Sequence, residues 1–201
     1  MYNPTRDIIE KNIGPITGEY VVVYDLESPA SRKLTELYRE VLPEARYSEF
    51  GSPYAVEAHP ERAEELKALL ISLPADSLVV MIQTTNFRLS DFRVRLELGQ
   101  HGVHCVEHNH LGYLEPAETE TYIEALRYRT PEYTRATQRL DALRQAHDTG
   151  AIIAPTGERL VFGKLEEFRG NTGDYSESRI RGGTFPIGEA FSEAVDLSSV
   201  S

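Results

Sequence analysis

The stretch "EYVVVYDLESPASRKLTELYREVLP", residues 19–43, decides the reading of the fold. It opens with a β-branched run, "EYVVVYD", of the kind expected for a strand buried on both faces. From residue 28 the period changes. Ser28 suits a helix N-cap and Pro29 its first turn, while Leu34, Leu37, Tyr38 and Val41 fall on one helical face before Pro43 stops the run.

The same alternation continues along the chain. "ARYSEF", residues 45–50, is a short extended piece, and Leu66, Leu69, Leu70 and Leu73 stripe a second helix that Pro74 ends. "SLVVMIQT", residues 77–84, is the next strong strand. Ser90 opens a short helix across "SDFRVRLELGQHG", and "VHCVE", residues 103–107, is a further strand. Two helical stretches follow, one around Tyr122, Ile123 and Leu126, the other capped by Thr130 with Pro131 and striped by Ala136, Leu140, Leu143 and His147. Parallel strands need crossovers of a dozen or more residues, usually helical. The pattern therefore predicts an α/β fold over residues 1–150: a doubly wound, mainly parallel sheet with helices on both faces. From Gly150 the texture turns to short strand-like runs and many glycines, which predicts hairpins and a smaller β-rich unit over residues 151–201.

Charge narrows the partners. With 21 basic and 32 acidic residues the chain carries a net charge of −11, so nucleic acid and anionic membrane surfaces are repelled on average. No apolar run approaches the roughly 20 residues of a membrane span, and "MYNPTRDIIEKNIG" lacks the apolar block of a signal peptide; a cytoplasmic protein is expected. The single cysteine, Cys105, lies in strand-like sequence and reads as a buried structural thiol.

In an open parallel sheet ligands sit outside the carboxyl ends of the strands. Those ends deliver Asp25, then Gln83, Thr84 and Asn86, then Glu107 and His108. The glycine-rich fingerprints of dinucleotide and ATP sites are missing, as are H-E-x-x-H and G-x-S-x-G. The segment "HGVHCVEHNHLG" is the densest histidine cluster. His108 and His110, two apart, share a face if the strand continues and would converge on a divalent ion with Glu107 or Asn109 nearby. Arg88, Arg93 and Arg95 in "TNFRLSDFRVR" suit either a bound carboxylate or a solvated helix face.

Near the end, "RGGTFPIGEAFSEAVD", residues 181–196, sets Gly182, Gly183, Pro186 and Gly188 before Glu189. Glycine admits conformations and close approaches that side chains block, and proline fixes φ, so the expectation is a stiff bend that holds the Glu189 carboxylate ready for a divalent metal. A plain structural turn with an exposed glutamate is the alternative.

The segment "FPIGEAFSEAVD" resembles the N-P-x-G-E-V-F-T-x-P segment of the thermophilic metallo-aminopeptidases of the aminopeptidase T type. Upstream, "APTGERLVFGKLEEFRGNTGDYSESRIRGG" is similar to that family's T-P-x-G-T-D-L stretch and the loop after it. The resemblance implies that Glu189 is a ligand of a two-metal site holding zinc, cobalt or manganese, that the substrate is a peptide or small molecule, and that the protein forms a homodimer. It also implies that the remaining ligands lie beyond residue 201, so residues 1–201 correspond to the N-terminal portion and are inactive alone. Phe185, Ala190, Ser192 and Ala194 depart from the family pattern and mark a divergent branch. Two other outcomes stay open at this point: a non-catalytic binding or dimerisation module of the same fold, and another metal-dependent enzyme of that fold, such as a ring-opening dioxygenase. A third is an unrelated α/β enzyme using Asp25, Asn86 and His108.

Overall fold

A computed structural model describes residues 2–51, 60–85, 93–175 and 177–193. The chain divides into two compact units: Met1–Tyr128 with Asp174–Ile187, and Arg129–Gly173 with Gly188–Ser201.

The first unit is a mixed α/β layer structure around a five-stranded parallel sheet. Its strands are β1 (Tyr20–Tyr24), β2 (Arg46–Glu49), β3 (Leu78–Ile82), β4 (His104–His108) and, arriving late in sequence, a strand at Gly182–Thr184. Its helices are α1 (Pro4–Asp7, continuing with π geometry over Ile8–Ile13), α2 (Pro29–Val41), α3 (Pro60–Ile71), α4 (Val94–Gln100) and α5 (Thr119–Ala125). In α2 the anticipated cap is present: the Ser28 hydroxyl accepts from Ser31 N and the Ser31 hydroxyl accepts from Ser28 N, a reciprocal box that satisfies two orphan donors.

All five residues of β3 are buried, as a strand covered on both faces requires. Alternation splits the core in two. Val22, Val80 and Val106 face Ile8, Leu34, Tyr38 and Ile123 from α1, α2 and α5, whereas Val21, Val79, Met81 and Cys105 face Leu66, Leu70, Val94 and Leu98 from α3 and α4. Helices thus cover both faces. Cys105, 1% exposed, is a core residue whose thiol pKa is pushed well up by burial. Among the described residues no helix is long and apolar enough to cross a membrane.

The second unit holds α6 (Thr130–Ala146) and two antiparallel pairs. β5 (Gly150–Ile153) and β6 (Arg159–Phe162) form a hairpin; β7 (Arg169–Asn171) pairs with β9 (Glu189–Phe191). This division differs from a boundary at residue 150 in two ways. Helix α6 belongs with the ribbons, and residues 174–187 return to the first unit as β8 (Gly182–Thr184), the fifth strand of the parallel sheet beside β4.

Two local expectations are corrected here. The α6 stripe of Ala136, Leu140, Leu143 and His147 is exposed, because the helix packs through Tyr133, Thr137, Asp141 and Arg144 instead. Gly170 of β7 admits the Thr137 side chain, and Asp141 accepts from Phe168 N at 3.2 Å. Thr130 opens that helix without capping it; its hydroxyl donates to the Thr172 carbonyl at 2.7 Å. The predicted start of α4 at Ser90 lies outside the described residues.

Candidate functional site

The strand order β2-β1-β3-β4-β8 reverses direction between β1 and β3, and the carboxyl ends at such a point are where wound sheets bind ligands. Here that place is filled by the chain itself. Asp25 is 1% exposed, and its carboxylate accepts from Thr84 N at 2.6 Å, from the Thr84 hydroxyl at 2.5 Å and from Glu27 N at 3.1 Å. A buried carboxylate needs such donors, since unpaired burial of charge costs several kcal/mol. Gly112 closes the same edge: its N–H donates to the Thr84 carbonyl at 2.8 Å, and a Cβ there would lie 2.7 Å from Thr84 Cγ2.

His108, the last residue of β4, points into the core and is 0% exposed. Its Nε2 lies 2.8 Å from the Tyr38 hydroxyl and its Nδ1 lies 3.0 Å from the Tyr122 hydroxyl, which donates to the Phe185 carbonyl at 2.9 Å. Since the Tyr122 proton goes to Phe185, the Tyr122 oxygen accepts from Nδ1–H and Tyr38 donates to Nε2. The imidazole is therefore neutral, with burial holding its pKa down at about 3. Burial also pushes both tyrosine hydroxyls far above their usual range.

The histidine cluster thus separates in space. Glu107 faces the opposite side of the sheet from His108, meeting Arg95 at 3.5 Å and the Thr184 hydroxyl at 3.5 Å. His110 has a left-handed backbone, φ 61°, and its exposed ring stacks on Tyr113. Strand periodicity ends at His108, so the expected face shared by His108 and His110 does not form. The convergent metal pair is corrected on this geometry: both ring nitrogens of one partner are taken by tyrosines and the other partner points outward.

His104 belongs to a different cluster, at the amino end of the sheet. Arg181 N donates to His104 Nδ1 at 3.0 Å, leaving Nε2–H to donate to Asp76 Oδ1 at 2.8 Å. The Arg181 guanidinium donates to that same Asp76 oxygen at 2.6 Å and to the carbonyls of Ile13 and Pro15 at 3.0 and 2.7 Å. Its 3.0 Å approach to His104 Nε2 follows from sharing this acceptor, since both groups are donors. The other Asp76 oxygen accepts from Thr17 N and Thr17 Oγ1, both at 2.7 Å. The Asp76 pKa is held well below the usual carboxylate range, first by His104, then by Thr17, with Arg181 adding to both. Sequence reading missed this cluster because its members come from four separate segments with no spacing pattern. Tyr38 and Tyr122 did carry a signal, as tyrosines among aliphatic stripes with hydroxyls that need buried partners.

The glycine-rich bend before Glu189 proves to be β8 and its exit. At Gly182, φ 127°, a Cβ would fall 1.9 Å from the Cys105 carbonyl oxygen. Phe185 and Ile187 are buried in the first unit, and the Phe185–Pro186 bond is cis. The rigidity anticipated as a clamp on Glu189 thus seats a strand.

Glu189 itself starts β9 in the second unit, opposite Asn171. It follows Gly188, φ 143°, whose backbone lies so close to Tyr133 that a Cβ would meet the ring at 2.5 Å. Its side chain is exposed. Among the described residues no group of three or more His, Cys, Asp and Glu side chains is arranged to hold a metal ion. Glu189 is thus an exposed carboxylate on a paired strand, as the plain structural alternative has it. Arg93 is exposed at the start of α4; Asn86 and Arg88 lie outside the described residues. No protein family, curated protein or solved structure matches this chain.

Proposed function

We propose that this chain is the N-terminal part of a metallo-aminopeptidase-like hydrolase, with Glu189 as one ligand of a divalent metal centre of zinc, cobalt or manganese. The observation that carries this reading is Glu189 itself. It stands in the segment that resembles the aminopeptidase motif, on a paired strand, exposed, and its carboxylate makes no hydrogen bond or ion pair with a described residue. Every other candidate carboxylate or histidine at the strand ends is tied up: Asp25 by Thr84 and Glu27, Glu107 by Arg95, and His108 by Tyr38 and Tyr122. That pattern also disfavours an α/β enzyme working through Asp25 and His108.

Metal ions bound in such a centre would supply Lewis acidity towards the carbonyl of a peptide or small-molecule substrate and lower the pKa of a bound water. The role of Glu189 is to fix one ion. Its backbone is held by β7 pairing and by the Gly188–Tyr133 contact, so a bound ion would have to order the side chain alone. The other ligands must come from outside the described residues.

The natural gene product at its native length tests the proposal. It should retain divalent metal through dialysis, measured by mass spectrometry. Glu189→Gln, an exposed and isosteric change, should weaken retention at least ~10-fold, the order seen when metal-site partners are removed, without altering the circular dichroism. Residues 1–201 alone should retain none. Undiminished metal in Glu189→Gln, or none in the native-length protein, overturns it.

A further inference from the structure

We draw no further inference here: the strongest candidate, the apolar surface of the β5–β6 hairpin in the second unit, where Ile152, Ile153 and Leu160 are 60%, 64% and 45% exposed, carries no proposal because nothing in the structure shows what covers it.

Discussion

Replacing Gly182 by alanine should unseat the last strand of the parallel sheet. The magnitude follows from two separate terms. Holding a non-glycine residue at φ 127° costs on the order of 1–3 kcal/mol. The second term is contact: the new Cβ would lie 1.9 Å from the Cys105 carbonyl oxygen, a backbone atom in the middle of β4. Relief requires β8 to move about an ångström, although Arg181 is tied at both ends of its own length. Its N–H bonds His104, while its guanidinium bonds Asp76, Ile13 and Pro15. Movement also strains the Cys105 N to Arg181 O and Phe185 N to Glu107 O bonds, each worth about 1 kcal/mol net. The expected loss is about 3–5 kcal/mol, or a fall in Tm of about 10 °C for a chain of this size. Gly157→Ala is the control, because Gly157 also has positive φ, 91°, but nothing lies within 4 Å of the added Cβ. It should cost only about 1–2 kcal/mol of backbone strain. Urea unfolding gives both values, and amide exchange locates the damage: Cys105 and Phe185 should lose protection in Gly182→Ala alone. Equal costs for the two variants would refute the close-packing argument.

Four further outcomes follow from the buried polar groups. Tyr122→Phe should cost more than Tyr38→Phe, about 2–4 against 1–3 kcal/mol by chemical denaturation, because it orphans both His108 Nδ1–H and the Phe185 carbonyl, whereas Tyr38→Phe orphans only Nε2. His108 sets a pH dependence. Its folded pKa of about 3 lies below the ordinary 6.5, so the unfolded chain takes up a proton that the folded chain refuses, and stability falls as pH drops from about 6.5 towards 3. The full term is about 5 kcal/mol, and His108→Gln should flatten that slope between pH 4 and 6.5; the carboxylates Asp7, Asp76 and Asp141, whose pKa values are lowered from 3.8, contribute only below about pH 4. Asp25→Ala, which leaves the N–H groups of Thr84 and Glu27 without their acceptor, should cost about 2–4 kcal/mol in thermal unfolding, and Asp25→Asn distinctly less. Arg181→Lys should recover little of the loss seen in Arg181→Ala, as read by amide exchange at Cys105, because one ammonium cannot reach Asp76 and two carbonyls with the geometry of a guanidinium fork.

How much was legible in sequence varies with the range of the interaction. Strands β1 and β3 were readable because residues buried on both faces leave an unbroken apolar run, and α2 because its cap, proline and stripe lie within one short segment. The last strand was not. A Gly-Gly-Thr strand has no apolar run, and what marks it as β-structure is the space left beside the Cys105 carbonyl, nearly 80 residues away in the chain. The same glycines read locally as a bend. Helix α6 failed in the opposite sense: its aliphatic stripe was plain, yet the packed face is Tyr133, Thr137, Asp141 and Arg144, because the small Gly170 and the Phe168 N–H select partners by shape and hydrogen bonding. For the site, the sequence reading set Glu107 near His108, whereas alternation on β4 turns them to opposite faces, and no local rule shows that a histidine at a strand end is enclosed between two tyrosines.

The commitment of Asp25 bears directly on what this sheet can bind. In wound sheets that hold nucleotides, the point between β1 and β3 is left to glycine backbone and a helix N-terminus, so that a phosphate fills the donors. Here the Asp25 carboxylate already takes the Thr84 N–H and hydroxyl, and the Ser31 N–H in the first turn of α2 is taken by the Ser28 hydroxyl. A phosphate approaching that edge would face a buried negative charge in place of free donors, in a medium where like charges repel strongly. The missing glycine fingerprint and the occupied edge are therefore one fact seen twice.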